Sequence, residues 1–208
     1  MTDFGLYLVI TNPVVGYVKC AEAAVKAGVR VVQLRMKHAS REEILREARA
    51  MRKITAGADT LFVVNDDPEI AVEVEADGVH VGQDDMSPAE VRRRYPDLKI
   101  VGLSTHNPSQ TLASLREPVD YIGVGPVYAT PTKDVPDPVL GLGTMNEMIR
   151  LAKRPAVAIG GIDAARLPSV IAAGARNYAV VRCVCNSYDP YSEIVRLVSA
   201  AKGSEIGD

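Results

Sequence analysis

An α/β barrel of eight strand–helix units, the TIM (β/α)8 barrel, is the fold class this sequence predicts. Three observations predict it. Short β-branched apolar runs recur eight times along the chain. The runs are continuous rather than alternating, which means burial on both faces, as in a parallel sheet covered by helices. Amphipathic stretches separate them, and 208 residues allow roughly 26 per unit, near the lower size of this barrel. The rival, an open doubly wound sheet, carries a Gly-rich first turn. Here the first run ends in Thr11-Asn12-Pro13, with no GxGxxG.

The predicted strands are Leu6–Thr11, Val31–Leu34, Leu61–Asn65, Gly78–Val81, Ile100–Leu103, Tyr121–Val124, Ala156–Ile159 and Tyr178–Val181. A helix over Arg41–Thr55 follows Ser40 as N-cap, and Glu43 three residues on completes a capping box. Pro68–Glu75 has proline in its first turn. Pro88–Tyr95 follows Ser87 and is stopped by Pro96, and Pro108–Leu115 follows Asn107. Asn146–Lys153 ends before Pro155. Ala164–Ala173 runs from Asp163 to Gly174, and Tyr191–Lys202 is last. The long connection, from Gly125 to Gly143, carries Thr130-Pro131-Thr132-Lys133, and long loops in compact domains are commonly functional. No composition break divides the chain, so residues 1–208 read as one domain.

Lys and Arg (24) nearly balance Asp and Glu (26), which excludes a broad nucleic-acid or anionic-membrane surface and leaves only local anion sites. There is no cationic-then-apolar leader, and the longest apolar runs are strand-sized. The expectation is a soluble, cytoplasmic protein without a membrane span. Cys20, Cys183 and Cys185 make neither a disulfide framework nor a zinc set, and read as small buried fillers.

In this barrel the active site lies at the C-terminal ends of the strands. The residues leaving strands two to eight there are chemically rich. Arg35, Lys37 and Lys133 supply positive charge for a phosphate group. Asp66 and Asp85, from adjacent strands, are hard oxygen ligands, and two carboxylates with substrate phosphate oxygens suit Mg²⁺. A diphosphate accounts for cations and acids together, since it accepts basic side chains and the metal at once. Gly160-Gly161, with Arg182 nearby, suggests a second, smaller anion site at the usual phosphate position of this fold. Plainer roles stand beside these: Asp66 and Asp67 can start the helix at Pro68, and Asp84 and Asp85 the one at Pro88. His80 reads as a hydrogen-bonded core residue, His106 as a loop or mouth residue, and His38 as solvated.

The stretches Val32-Gln-Leu-Arg-Met-Lys37, Val64-Asn-Asp66, Ala76-Asp-Gly-Val-His-Val-Gly-Gln-Asp-Asp85 and Val101-Gly-Leu-Ser-Thr-His-Asn107 come in a telling order. They continue as Asp120-Tyr-Ile-Gly-Val-Gly-Pro126, Thr130-Pro-Thr-Lys133 and Ala158-Ile-Gly-Gly-Ile162. In order and spacing the chain resembles the thiamine phosphate synthase family from about residue 6 to 198. The resemblance implies a transferase that joins a pyrimidine diphosphate (of 4-amino-5-hydroxymethyl-2-methylpyrimidine) to a thiazole phosphate or its carboxylated form. Pyrophosphate leaves first, and the thiazole nitrogen attacks the resulting carbocation. It implies that Gln33, Arg35, Lys37, Asn65 and Lys133 bind the pyrimidine diphosphate, and that Asp66 and Asp85 hold Mg²⁺. Ser104 is implied to contact the pyrimidine substrate or the departing pyrophosphate. Thr130 and Thr132 are implied to line the thiazole phosphate side, which Gly161, Val181 and Arg182 complete.

Three departures from the family pattern stand out. Met36 replaces a frequent acid, Arg182 a frequent Ser, and the loop 134–140 is proline-rich. A sister branch that isomerises the thiazole phosphate needs neither diphosphate nor Mg²⁺, so it leaves the cation-plus-acid set unused. A sugar-phosphate epimerase or aldolase needs a base or Schiff-base lysine at a strand end; Lys37 suits that part in principle, but Asn65-Asp66, Gln83 to Asp85 and Thr130 to Lys133 are then unexplained. A barrel kept for regulation alone has no use for intact ligands. The sequence leaves the oligomeric state open, and a homodimer is compatible with it.

Overall fold

The computed structural model describes residues 3–132 and 137–205. Eight parallel strands close into a barrel in chain order, β1 to β8, and β8 pairs back onto β1 through Leu6–Tyr178, Tyr7–Ala179 and Leu8–Val180. The strands are β1 Leu6–Ile10, β2 Val31–Leu34, β3 Leu61–Asn65, β4 Gly78–Val81, β5 Ile100–Thr105, β6 Tyr121–Val124, β7 Ala156–Ile159 and β8 Asn177–Val180. Between and after them lie α1 Tyr17–Lys26, α2 Arg41–Thr55, α3 Pro68–Glu73, α4 Pro88–Arg94, α5 Pro108–Ser114, α6 Gly141–Leu151, α7 Leu167–Ala172, α8 Arg182–Cys185 and α9 Pro190–Glu205. Among the described residues no helix is long and apolar enough to cross a membrane.

The helix α2 starts where its capping box predicts. The Ser40 hydroxyl accepts from the Glu43 amide at 3.3 Å, and the Glu43 carboxylate accepts from the Ser40 amide at 2.8 Å. The helix α1 has no sequence-based counterpart above. Its N-cap is Gly16, with no side-chain hydrogen bond and no acid in its first turn, so no start signal marks it. Three helices begin elsewhere than predicted, α9 by a single residue, at Pro190 rather than Tyr191. α6 starts at Gly141 rather than Asn146, and α7 at Leu167 rather than Ala164. Asp163 does cap, but it caps the turn before α7, accepting from the amides of Ala165 (3.0 Å) and Arg166 (2.9 Å).

The continuous apolar strands serve two cores at once. Along each strand one set of side chains points outward, toward the helices, where Leu8, Ile10, Val32, Leu34, Val64 and Val101 join the larger core. The alternate set points inward and fills the barrel with Tyr7, Val9, Val31, Val63, Ile100, Tyr121, Val157 and Ala179. The period is two, as a pleated strand requires. On β2 and beyond it, the inward parity runs Val31, Gln33, Arg35, Lys37. Met36 falls on the other parity and packs against the outer core, which disposes of its departure from the family pattern.

The three cysteines are free thiols, with Cys20 and Cys185 buried as fillers and Cys183 half-buried. The neighbouring Cys185 pulls the Cys20 thiol down, and Cys20 together with burial pushes the Cys185 thiol up, while Cys185 Sγ donates to the Val9 carbonyl at 3.5 Å. Burial raises Cys183 to about 11.

Candidate active site

The inward parity leads up to a cavity of about 1130 Å³ at the C-terminal mouth of the barrel. Every described residue singled out above as a substrate or metal contact lines it. Gln33, Arg35 and Lys37 come from β2 and its exit, Asn65 from the end of β3 and Asp66 from just beyond it, Asp85 from the loop after β4. Ser104 comes from β5, Thr130 and Thr132 from the loop after β6, Gly161 from that after β7, and Val181 and Arg182 from the end of β8. Lys133 lies outside the described residues. The strand prediction for β8 is shifted by one residue: the strand stops at Val180, and Arg182 opens the short helix α8.

On one wall the charges are already in contact. Lys37 Nζ donates to Asp66 Oδ2. The Asp66 and Asp85 carboxylates are neighbours in the cavity, and Asp85 disfavours the charged form of Asp66. Burial holds the Asp66 carboxyl above its usual value; the Lys37 bond opposes this and Asp85 adds to it. The Asp85 carboxylate is fixed by the Gly82 amide at 2.7 Å. Asp66 sits at φ 64°, in the left-handed region that Asp tolerates better than most residues. Its amide still pairs with the His80 carbonyl at 2.8 Å, so the chain turns sharply at the top of the β3–β4 ladder.

This donor set fits a hard divalent cation. Two adjacent carboxylates, one held protonation-prone by burial and its neighbour, gain from a positive partner. Among the described residues no third His, Cys, Asp or Glu completes a protein cage. The two carboxylates would hold such a cation only in part, leaving room for water and phosphate-type oxygens, as suits Mg²⁺.

The opposite wall is built from backbone. Gly160 and Gly161 have φ of 106° and 64°. A Cβ on Gly160 would stand 2.6 Å from Pro126 Cα, and one on Gly161 2.9 Å from the Ala129 carbonyl oxygen. The glycine pair therefore lets the loop after β7 pack under the loop after β6, which carries Thr130 and Thr132. Those two hydroxyls are 2.9 Å apart. Arg166 ties the corner by donating to the Gly161 carbonyl at 2.8 Å.

The sequence reading missed the floor. Tyr7 and Tyr121, both buried, bring their hydroxyls within 2.8 Å of each other. Gln33 Nε2 donates to Tyr7 at 2.8 Å, Tyr121 meets His80 Nδ1 at 2.9 Å, and His80 Nε2 meets Ser104 Oγ at 2.9 Å. A chain of five side chains thus crosses the barrel from β2 to β5. Burial raises both phenols well above their usual value. His80 is hydrogen-bonded as expected, and it also faces the cavity. His106 is a mouth residue: its Nδ1 donates to the Gly125 carbonyl at 2.7 Å, and Asp137 lies 3.6 Å away. The one sequence signal for the floor was a tyrosine at an inward position of two strands.

A family model described as thiamine monophosphate synthase matches residues 6–184. The chain belongs to the thiamine monophosphate synthase family. The thiamine-phosphate synthase of Laribacter hongkongensis is 39% identical over 207 residues, 98% of this chain and 97% of its own. That of Gloeobacter violaceus is 42% identical over 185 residues, 89% of this chain but 54% of its own, so the chain spans about half of that longer relative. A solved thiamine phosphate pyrophosphorylase from Pyrococcus furiosus superposes with a TM-score of 0.88 at 28% identity, covering 97% of each chain. Membership in this family makes the chain a transferase of thiamine biosynthesis.

Proposed function

We propose that this protein couples the pyrimidine diphosphate to thiazole phosphate, or to its carboxylated form, and releases thiamine phosphate and pyrophosphate. The observation that carries the reading is the convergence of Arg35, Lys37, Asp66 and Asp85 on one wall of a single cavity. A phosphate-binding barrel that only isomerises its substrate has no use for paired carboxylates beside paired cations.

Mg²⁺ bound at Asp66 and Asp85 supplies charge neutralisation for the diphosphate. Arg35 and Lys37 bind the diphosphate oxygens from the β2 side, and Lys133 joins them from the loop after β6. The methylene carbon–oxygen bond breaks, and its electron pair leaves with pyrophosphate. Negative charge grows on that leaving group, so cations fixed there favour the transition state over the ground state. Gln33 and Asn65 orient the pyrimidine, and Ser104 contacts it or the leaving group. The thiazole nitrogen then gives its lone pair to the electron-deficient methylene carbon, so no general base is needed at that atom. Thr130, Thr132, Gly161, Val181 and Arg182 hold the thiazole phosphate on the opposite wall. With the carboxylated thiazole, the carboxyl group leaves as carbon dioxide. The protein is cytoplasmic in this reading and acts on small molecules.

The test is product formation from both substrates, with and without Mg²⁺, followed as thiamine phosphate and pyrophosphate. Mg²⁺-dependent appearance of both is expected. A folded protein that makes neither product overturns the reading.

A further inference from the structure

The hydrogen-bond chain under the cavity has a direction, and that direction determines what Ser104 can offer a substrate. The nitrogen of an amide side chain only donates. Gln33 Nε2 donates to the Tyr7 hydroxyl at 2.8 Å. Tyr7 has one proton, and its other partner is the Tyr121 hydroxyl at 2.8 Å, so the proton goes there. Tyr121 accepts it and passes its own to His80 Nδ1 at 2.9 Å. Nδ1 is thereby an acceptor, and the neutral ring carries its proton on Nε2. Nε2 donates to Ser104 Oγ at 2.9 Å. The Ser104 hydroxyl is already accepting from the ring, so its own proton turns away from His80, toward the cavity that Ser104 lines.

Packing keeps this chain in place. Tyr121 is fully buried and stacks on the His80 ring, with centroids 5.4 Å apart at 30°. Phe4 and Tyr7 meet it edge-on. Gly102 clears the space: a Cβ there would stand 2.2 Å from Tyr121 Cζ and 2.5 Å from His80 Nδ1. A buried hydroxyl that loses its partner costs free energy, so each link keeps its neighbours oriented.

We infer that Tyr7 and Tyr121 are positioning residues which fix His80 as its Nε2–H tautomer and so hold the Ser104 hydroxyl as a donor into the cavity. The substrate atom that meets Ser104 is therefore an acceptor, either a phosphate-type oxygen or an unprotonated ring nitrogen, and not an amino group. The inference rests on the proposed function only for the identity of that substrate, since the pyrimidine diphosphate offers both acceptors.

The test reads the tautomer directly. The chain has three histidines, few enough to assign imidazole ¹⁵N resonances through a His80→Asn spectrum. His106, whose Nδ1 faces the Gly125 carbonyl, supplies the opposite tautomer as an internal reference. His80 is expected to be Nε2–H in the wild type and a mixture of tautomers in Tyr121→Phe. In that variant kcat for coupling falls about tenfold, the factor one oriented hydrogen bond supplies, with KM for thiazole phosphate unchanged. Tyr7→Phe, one link further back, shifts the tautomer the same way and serves if Tyr121→Phe does not fold.

Binding of pyrophosphate, and separately of the pyrimidine alcohol, to wild type and Ser104→Ala then locates the acceptor. Weaker pyrophosphate marks an oxygen; weaker alcohol marks a ring nitrogen. An Nδ1–H His80 in the wild type overturns the inference. So does an unmixed Nε2–H tautomer in folded Tyr121→Phe, or equal binding of both probes by Ser104→Ala. The expected tautomers in a protein without coupling activity leave the inference standing and overturn the functional reading instead.

Discussion

Gly102→Ala is a one-methyl perturbation whose effect can be worked from contacts. Gly102 lies in β5, and no left-handed backbone conformation forbids alanine there. The obstacle is space. The new Cβ would meet Tyr121 Cζ at 2.2 Å, Tyr121 Oη at 2.5 Å and His80 Nδ1 at 2.5 Å. These belong to rigid rings, and Tyr121 is hydrogen-bonded on two sides, so neither ring can swing clear cheaply. Overpacking a filled interior costs about 1–3 kcal/mol. The upper part of that range applies, because relief of the clash also breaks a buried hydrogen bond. For a chain of this size, about 2–3 kcal/mol lowers Tm by roughly 4–12 °C.

Gly123→Ala is the matched control. A Cβ there would stand 3.5 Å from His80 Cε1, an ordinary contact, so no steric penalty is expected, and the loss of unfolded-chain freedom favours alanine by about 0.4–1 kcal/mol. Thermal and urea unfolding of both variants make the comparison, Gly102→Ala falling well below Gly123→Ala in stability, with the His80 ¹⁵N signals read on the same samples. Gly102→Ala as stable as wild type, with His80 unchanged, refutes the claim that this glycine exists to admit the two rings.

Three other expectations follow from the site and its scaffold. Asp85→Asn should raise the Mg²⁺ concentration for half-maximal coupling by at least about tenfold, one charged ligand's share of roughly 1.4 kcal/mol, in a Mg²⁺ titration of initial rates; an unchanged titration removes Asp85 from the metal site. In metal-free protein, burial raises the Asp66 carboxyl above its usual 3.8, so its stabilising contribution is present below 3.8 and is lost as pH rises through the raised folded value. Urea unfolding across pH should therefore show the wild type losing ground to Asp66→Asn as pH climbs through that window, and parallel curves would contradict it. Ser40→Ala removes half of a capping box far from the cavity, and should cost about 1 kcal/mol in urea unfolding while leaving kcat and KM untouched.

The strands were legible because a fully buried parallel strand leaves an uninterrupted β-branched run, and each such run here became a strand of the barrel. The charged wall was legible for a related reason. Arg35, Lys37 and Asp66 stand within three residues of the end of an apolar run, Asp85 follows four residues after Val81, and the fold gathers strand ends at one mouth. Helix starts were legible only where a side chain caps them. Ser40, Ser87 and Asn107 gave their helices away, whereas Gly16, Leu140 and Arg166 make no side-chain cap and hid theirs. The glycines at 141 and 143 further disguised the first turn of α6, since glycine is a poor helix former. The tyrosine floor was legible only at His80, which reads as hydrogen-bonded, and not in its tyrosine partners. Tyr7 and Tyr121 each sit in an apolar run that carries no polar signal, and their partners lie 26, 41 and 114 residues away in the chain. Only the closure of the barrel brings those hydroxyls together.

The alternation along β2 has a bearing on how such an enzyme can change. Positions 33, 35 and 37 face the cavity, while 32, 34 and 36 belong to the outer core. The cavity lining and the outer core thus use one backbone but separate side chains. A point substitution can alter one without touching the other, which leaves specificity free to drift over an unaltered foundation. A single-residue insertion or deletion within the strand has no such freedom. It exchanges the two sets at a stroke, placing cations in oil and methionine at the mouth. Selection on this strand should therefore tolerate replacements and reject changes of length.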